Sequence, residues 1–316
     1  MSEARGISRV SLPARWNWRR ALRRYLPPLL FLLPTLALFA VIFVWPVFQA
    51  FRLSFWQWTL FRPRIFIGLA NYERLLEDPL FWKSLWITAV WALGVVPAIL
   101  VISLPIALLL NAPWLRLKGM WRMIYFIPVV TNIVAAAFIF RWLFDPQFGV
   151  VNWLLSLAGI KGPGWLADPD WALLAMMLVA VWKQIGYAAV LFLAGLQTIP
   201  QEFHEAALID GATPAQSFWK VTFPLLNPTL VFVCVILLIN AFRVFTIPFV
   251  MSAGGLAWRT VGGPLDSTRV FVLQIYDNAF ARFDLGYGAA NAAVLLVIIV
   301  FLTLIQMRII QRPFEY

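Results

Sequence analysis

Six long apolar segments constrain this chain more than any other feature of its sequence. They cover residues 27–51, 85–111, 121–144, 171–197, 227–251 and 287–308. Each is close to the roughly 20 residues that a helix needs to cross the hydrocarbon core of a bilayer. Because backbone polar groups cannot stay unpaired in lipid, segments of this length are expected to be helices. The sequence therefore predicts an all-α integral membrane protein with about six transmembrane helices.

The composition agrees with a surface that faces lipid. Of 316 residues, 62% are hydrophobic and only 12% are charged, whereas a soluble domain carries about 25% charged residues. Single Cys and His residues, Cys234 and His204, argue against a disulfide framework, a His-based metal site and a Ser-His triad. The chain also has no G-x-x-x-x-G-K-[ST] phosphate loop. We therefore expect no metal and no cofactor in this chain.

The charge pattern favours one orientation in the membrane. The formal charge of +11 is concentrated near the N-terminus, at Arg5, Arg9, Arg15, Arg19, Arg20, Arg23 and Arg24. Such a cluster is typical of a cytoplasmic end that contacts anionic headgroups, rather than of nucleic-acid binding. We predict a cytoplasmic basic segment at 1–26, a membrane domain at 27–308 and a cytoplasmic tail at 309–316. Prolines predict kinks in the spans at Pro34, Pro46, Pro97, Pro105, Pro128 and Pro248.

The six spans contain no Asp, Glu or His. A proton-coupled carrier needs a titratable group in the bilayer, and a membrane hydrolase needs a carboxylate pair, a His base or a metal. The sequence therefore argues against both classes. Sodium coupling through the backbone carbonyls of broken helices stays open.

Polar residues at membrane depth are candidates for contact with a solute. Asn132 and Lys183 are two of them. The predicted solute path has six further members, Gln184, Tyr187, Asn240, Arg243, Thr246 and Asn291. Neutral amides and phenols hydrogen-bond to hydroxyl-rich solutes, but they also join helices to one another within membrane bundles. Either role fits each residue, and Arg243 is the sharpest case, since a cation in the membrane must face a cavity or a partner.

The 198–226 segment reads as soluble protein placed between two spans. Pro200, Gln201 and Glu202 suit the first turn of a helix, and Gly211 suits its left-handed end. Thr213 to Gln216 fits a capping box with Pro214 at the first helical position, and Pro224 is expected to stop the second helix. The segment is therefore predicted to form helix, glycine turn and helix.

The same segment carries a family resemblance. Glu205, Ala206 and Ala207, followed by Gly211 and then by Phe223-Pro224, resemble the EAA loop of permease subunits of bacterial ABC importers, in the carbohydrate-uptake branch. FIGLANY at 66–72, MWRMIYFIPVV at 120–130 and VGGPLDST at 261–268 also resemble that family. Thr246 departs from its pattern, because Asp often stands there.

The resemblance implies a six-helix permease of the bacterial cytoplasmic (inner) membrane that is not itself an enzyme. Its expected partners are a second permease, two ATP-binding subunits that hold ATP and Mg, and an extracellular or periplasmic substrate-binding protein. The 198–226 segment would be the coupling loop, and its expected ATPase contacts are Glu205, Ala206, Ala207, Asp210, Gly211 and Pro224. The expected solute is a sugar, a di- or oligosaccharide, moved by alternating access.

Other functions stay open at the level of sequence. Related permeases carry glycerol-3-phosphate or a glycerophosphodiester, and Arg243 could face such a phosphate. A membrane scaffold or sensor that does not transport is a further alternative. The absence of charged catalytic groups from the spans disfavours a membrane enzyme.

Overall fold

The computed structural model describes residues 18–59, 63–252 and 262–310. The chain falls into two compact units, residues 1–50 and 51–316. Helix α1 (Trp18–Phe39) begins the described part of the first unit, and a π-helical turn at Ala40–Val44 and helix α2 (Trp45–Leu53) follow it. Together they supply an apolar helix, Leu26–Leu53, that is long enough to cross a bilayer. Most of the predicted cytoplasmic segments, including Arg5, Arg9 and Arg15, lie outside the described residues.

The second unit is built almost entirely from helices. In chain order it contains β1 (Trp56–Gln57), β2 (Ile65–Phe66), α3 (Ala70–Glu77), α4 (Pro79–Asn111), α5 (Lys118–Val130), α6 (Ile133–Leu143), α7 (Val150–Leu157), α8 (Pro169–Gln197), α9 (Gln201–Ile209), α10 (Pro214–Ser217), α11 (Phe223–Leu225), α12 (Asn227–Phe242), α13 (Thr246–Ser252), α14 (Phe271–Tyr276) and α15 (Leu285–Ile310). The two strands pair antiparallel, with Trp56 opposite Phe66. Two π-helical turns, Phe218–Thr222 and Asp277–Ala281, continue neighbouring helices.

The long helices agree with the predicted spans. Five stretches of the described chain are long and apolar enough to cross a membrane: Leu26–Leu53, Pro79–Asn111, Pro169–Gln197, Asn227–Ser252 and Leu285–Ile309. The fifth predicted span is interrupted, since α12 ends at Phe242 and α13 begins at Thr246. The predicted helical membrane architecture is thus confirmed, with one short pair of strands added to it.

The third predicted span, 121–144, is not one continuous helix. Helices α5 and α6 meet at an angle of 93°, with Thr131 and Asn132 between them. Pro128 removes one N–H donor from the last turn of α5. The Asn132 side chain then accepts hydrogen bonds from the N–H groups of Val134 (2.9 Å) and Ala135 (3.2 Å), which starts a new helix. The number of spans is therefore five, or six if this bent pair counts as one span.

The prolines affect the helices in different ways. Helix α4 runs without interruption through Pro97 and Pro105. A π-helical turn lies directly before Trp45 and Pro46, and the break between α12 and α13 precedes Pro248. Since the ring of a proline clashes with the carbonyl four residues earlier, a wider turn or a break before it relieves the clash.

The core of the second unit forms around α8. Half of the apolar window of α8 is buried, compared with one third for α4. Trp91 and Ile99 of α4 pack in the same core as Met176 and Phe192 of α8, each 1% exposed or less. At Gly186 of α8 the neighbouring helix comes so close that a Cβ atom would overlap the carbonyl oxygen of Tyr125. Helix α8 is therefore held directly against α5.

Candidate functional site

The 198–226 segment forms the predicted helix, glycine turn and helix. Helix α9 runs from Gln201 to Ile209, with Pro200 at the N-cap position rather than inside the first turn. Gly211 has a φ of +75°, the left-handed conformation that its place after the helix predicts. A capping box starts α10: the Thr213 N–H donates to Gln216 Oε1 (2.9 Å), and the Gln216 N–H donates to Thr213 Oγ1 (3.3 Å).

Pro224 does not stop the second helix, contrary to expectation. The chain passes from α10 through the π-helical turn Phe218–Thr222 into α11, which contains Pro224. The π-helical turn Phe218–Thr222 directly precedes α11 and leaves room for the ring of Pro224. The segment therefore joins α12 through an almost continuous helical path.

The turn of this segment exposes apolar side chains. Leu208 and Ile209 are 68% and 86% exposed. Of the predicted coupling residues, Glu205, Ala206, Asp210 and Gly211 are exposed, whereas Ala207 is buried. Trp219 is also exposed, and its ring packs against those of Phe218 and Phe223, with centroids 5.0 and 5.2 Å away. An exposed apolar tip on a capped frame is suited to contact with another protein.

The predicted solute-path residues fall into three places. Lys183, Gln184 and Tyr187 lie on one side of α8, since residues three or four apart share a helix face. The Lys183 ammonium does not point into open space but donates to the carbonyl oxygens of Pro128 (2.6 Å), Val129 (3.1 Å) and Thr131 at the end of α5. Tyr187 is 36% exposed.

The second place is the break between α12 and α13. Asn240 and Arg243 are exposed and three residues apart, and Arg243 is the C-cap residue of α12. Thr246 begins α13 on the other side of the break. Because a broken helix frees backbone carbonyls and places polar side chains at membrane depth, this break is a candidate contact for a solute.

Asn291 lies apart from both places. It is fully buried in α15, and its Nδ2 donates to the carbonyl oxygen of Tyr287 (2.8 Å). The structure therefore brings the α8 residues together and places the α12–α13 residues around a helix break, but it puts Asn291 inside the packed protein.

A cavity lies where α13 ends. It has a volume of about 480 Å³, and its lining includes Arg141, Asp145, Met251 and Ser252. Asp145 Oδ1 accepts hydrogen bonds from the N–H groups of Phe148 (2.9 Å) and Gln147 (2.8 Å), which hold the pKa of its carboxyl below the usual value. Helices α12 and α13 lead from the 198–226 segment to this cavity.

Sequence reasoning missed a polar cluster that joins α3, α4 and α15. The buried Tyr287 hydroxyl donates to Asp78 Oδ2 (2.7 Å), while Asp78 Oδ1 accepts from the N–H of Leu80 at the start of α4 (2.9 Å). Arg74 stacks on the Tyr287 ring, 4.1 Å from its centroid, and pairs with Asp284 (2.7 Å). The Asp-Pro pair at 78–79 signals a helix start, but no local pattern links it to a residue more than 200 positions later.

A second cluster surrounds Arg269. Its guanidinium donates to Asp266 (2.7 Å), Asp277 (3.0 Å) and Gln274 Oε1 (3.0 Å). These bonds tie the short 3₁₀ turn Pro264–Asp266 to α14. The cluster follows the segment 253–261, which is outside the described residues.

No group of three or more His, Cys, Asp or Glu side chains in the described part of the chain could hold a metal ion. Among the described residues, the candidate solute contacts are amides, hydroxyls and the cations of Lys183 and Arg243. They can bind and orient a solute, but they lack the acid and base pair that bond cleavage needs.

Comparison with known proteins gives one consistent family. The family of binding-protein-dependent transport system inner membrane components matches residues 103–315. The sulfoquinovosyl glycerol transport system permease protein SmoG of Agrobacterium fabrum is 36% identical over 307 residues, 96% of this chain and 96% of that protein. The trehalose/maltose transport system permease protein MalF of Thermococcus litoralis is 32% identical over 300 residues, 95% of this chain and 97% of that protein.

A third relative and a solved structure agree with these. The sn-glycerol-3-phosphate transport system permease protein UgpA of Agrobacterium fabrum is 33% identical over 293 residues, 92% of this chain and 96% of that protein. The crystal structure of a bacterial ABC transporter involved in alginate import includes a chain with the same fold. Its TM-score is 0.74 at 24% identity, covering 93% of this chain and 99% of that chain.

Proposed function

This chain belongs to the family of binding-protein-dependent transport system inner membrane components, and from that premise we propose that it is the permease of an ATP-driven sugar importer. Like its relatives it is a transport subunit rather than an enzyme, and it is a multi-pass protein of the inner membrane. The proposed solute is a di- or oligosaccharide or a glycoside. Relatives named for trehalose/maltose and sulfoquinovosyl glycerol support that class.

The structure of the 198–226 segment supports the proposal that this chain couples to separate ATPase subunits. Its capping box and left-handed Gly211 hold two short helices at a sharp turn, and Leu208 and Ile209 are exposed beside that turn. An apolar tip in water is unfavourable unless a partner covers it. The almost continuous helical path into α12 lets a force on the tip reach the break at Arg243.

The transport cycle we propose is alternating access. ATP binding closes the ATPase pair, which moves the 198–226 segment and opens the membrane domain 27–308 to a solute delivered by a binding protein. A second permease of the same family completes the path. Each state must make different contacts for ATP to shift the populations, and the break between α12 and α13 is where such a change requires the least disruption of helix hydrogen bonds.

Gly211→Val tests the coupling role. A Cβ at Gly211 has no other atom within 4 Å, so a valine there meets no clash inside the chain, but its φ of +75° is strained for a β-branched residue. We expect uptake of the solute to be lost while the protein still inserts. Gly211→Asn should retain most uptake, since Asn tolerates the left-handed conformation. ATP-dependent uptake into reconstituted vesicles is the measurement.

Gly68→Val is the matched control for this experiment. Gly68 has a φ of +58° and the same open surroundings, but it lies between β2 and α3, far from the 198–226 segment in the chain. Glu205→Lys, compared with Glu202→Lys on the same helix, tests the charged contact in the same assay. Normal uptake and ATPase co-purification for both Gly211→Val and Glu205→Lys would contradict the coupling role.

A glycerol-3-phosphate or glycerophosphodiester importer is the second candidate. The exposed guanidinium of Arg243 at the end of α12 favours it, together with the 33% identity to a glycerol-3-phosphate permease. If the solute carries a phosphate, Arg243→Gln should abolish uptake and Arg243→Lys should keep part of it. If the Arg243→Gln variant takes up phosphorylated solutes at the rate of the parent protein, the phosphate hypothesis fails and only the sugar hypothesis remains. Calorimetry on the cognate binding protein then identifies the solute.

A further inference from the structure

The break between α5 and α6 has polar ends that lie at membrane depth. The 93° bend leaves the last carbonyl groups of α5 and the first N–H groups of α6 without partners in their own helices. In a bilayer such groups must be satisfied by the protein. The Asn132 side chain serves the N–H groups of Val134 and Ala135 at the start of α6.

Lys183 of α8 serves the carbonyl groups at the end of α5. Its ammonium donates to the carbonyl oxygens of Pro128 (2.6 Å), Val129 (3.1 Å) and Thr131, and Thr131 Oγ1 lies 3.4 Å from the same nitrogen. An ammonium has three N–H donors and no acceptor. Three carbonyl oxygens therefore use its full capacity.

The backbone contact at Gly186 fixes where this ammonium can go. Gly186 is three residues after Lys183, on the same face of α8, and the carbonyl of Tyr125 packs directly on it. This contact leaves α8 and α5 no room to separate or slide without losing the carbonyl bonds of Lys183. The arrangement is thus a built site and not a flexible surface contact.

In transporters with broken helices, unwound backbone carbonyls and the C-terminal ends of half-helices coordinate Na⁺. Here the compact positive charge of a lysine occupies that place. We propose that Lys183 is a tethered cation: its ammonium fills a carbonyl site for a monovalent cation at the end of α5, holds the third span in its bent form, and makes that bend independent of free ions.

The inference concerns a positioning residue. Lys183 shares its helix face with Gln184 and Tyr187 of the proposed solute path, so the bend that it holds sets what lies opposite those side chains. Only this link to transport rests on the proposed function. The bend itself can be measured without solute, binding protein or ATPase.

The test measures the distance between spin labels on α5 and α6 in the full chain, reconstituted in lipid nanodiscs. Labels are attached at Met123→Cys and Trp142→Cys, where the side chains are 68% and 83% exposed, in a Cys234→Ser background. Samples are compared in sodium chloride and in N-methylglucamine chloride, whose cation is too large for a ring of carbonyls. The variants are Lys183→Ala, Lys183→Arg and, as a matched control, Lys161→Ala at an exposed loop position.

We expect the parent protein and Lys161→Ala to give the same narrow distribution of label distances in both salts. Lys183→Ala should broaden it in N-methylglucamine and narrow it again in sodium, because the emptied site admits an ion. Lys183→Arg should stay close to the parent.

Two results would overturn the proposal. The first is an unchanged distribution for Lys183→Ala in N-methylglucamine. The second is equal broadening in Lys183→Ala and Lys183→Arg with no response to sodium, which would assign the bend to packing. If Lys183→Ala does not insert, the parent protein alone provides the test. A distance distribution of the parent that differs between sodium and N-methylglucamine would contradict a site filled by lysine.

Discussion

Single polar side chains hold distant parts of this protein together. Asp78 is the clearest example, since one carboxylate oxygen starts α4 and the other accepts a hydrogen bond from Tyr287 of α15. Arg74 completes the cluster by stacking on the ring of Tyr287. A half-buried carboxylate that loses its donor gives up a charge-assisted hydrogen bond, which is stronger than one between neutral groups.

Tyr287→Phe tests that cluster. It removes the donor to Asp78 and leaves the packing of the ring in place. We expect the free energy of unfolding to fall by about 1.5–3 kcal/mol, the range for hydrogen bonds to charged groups, seen as a lower midpoint of thermal unfolding in detergent. Tyr276→Phe is the control, since the Tyr276 hydroxyl makes no hydrogen bond among the described residues. Equal midpoints for the two variants would show that the Asp78 bond contributes nothing.

Gly211 and Thr213 show which structural features can be predicted from the conformational preferences of single residues. The left-handed φ of Gly211 and the capping box at Thr213 and Gln216 follow from short-range stereochemistry, and both are confirmed. Pro224 was expected to stop a helix by the same kind of rule, and that expectation is wrong. A π-helical turn before a proline is a property of several residues together, so single-residue preferences do not reveal it.

At the scale of elements, close contact between α5 and α8 fixes how the third predicted span packs against the rest of the second unit. Gly186 lets the two helices approach until backbone meets backbone, as small residues do in membrane helix pairs. Lys183 adds a polar bond across the same contact. The bend of the third span therefore depends on a neighbour that is more than 50 residues away in sequence.

Gly186→Ala should weaken this contact. The added methyl group overlaps the Tyr125 carbonyl, and overpacking of this kind costs about 1–3 kcal/mol. The midpoint of thermal unfolding should fall. Gly119→Ala, in α5 but with open space around the added methyl group, should leave it unchanged or slightly higher. A Gly186→Ala midpoint equal to that of Gly119→Ala would mean that α5 and α8 separate without cost.

At the scale of the whole molecule, the bent pair decides the topology. Five crossings would place the two ends of the chain on opposite sides of the membrane, whereas six place them on the same side. The basic N-terminal cluster and Arg308 at the end of α15 favour two cytoplasmic ends. The pair α5 and α6 must then cross the membrane together despite its bend.

Topology mapping checks this prediction. Reporter fusions that are active on only one side of a membrane are placed after Lys118, after Lys161 and at the C-terminus. We expect the Lys118 and C-terminal fusions to report the cytoplasm, and the Lys161 fusion to report the outside. A cytoplasmic signal at Lys161 would show that α5 and α6 form a re-entrant loop.

The sequence by itself determined the class of this protein, the positions of its long helices and the stereochemistry of the 198–226 segment. These depend on the energy of apolar side chains in lipid and on hydrogen bonds between residues within a few positions of each other. The family resemblance in the same segment was recognisable for the same reason, because its motif is local.

Only the tertiary structure decided the bend at Thr131, the role of Lys183 and the burial of Asn291. The carbonyl groups of α5 lie 52 to 55 residues before the lysine that caps them, and nothing in the local sequence indicates that partner. Whether a polar group at membrane depth faces a solute path or another helix depends on which helices surround it. That arrangement follows from packing across the whole chain.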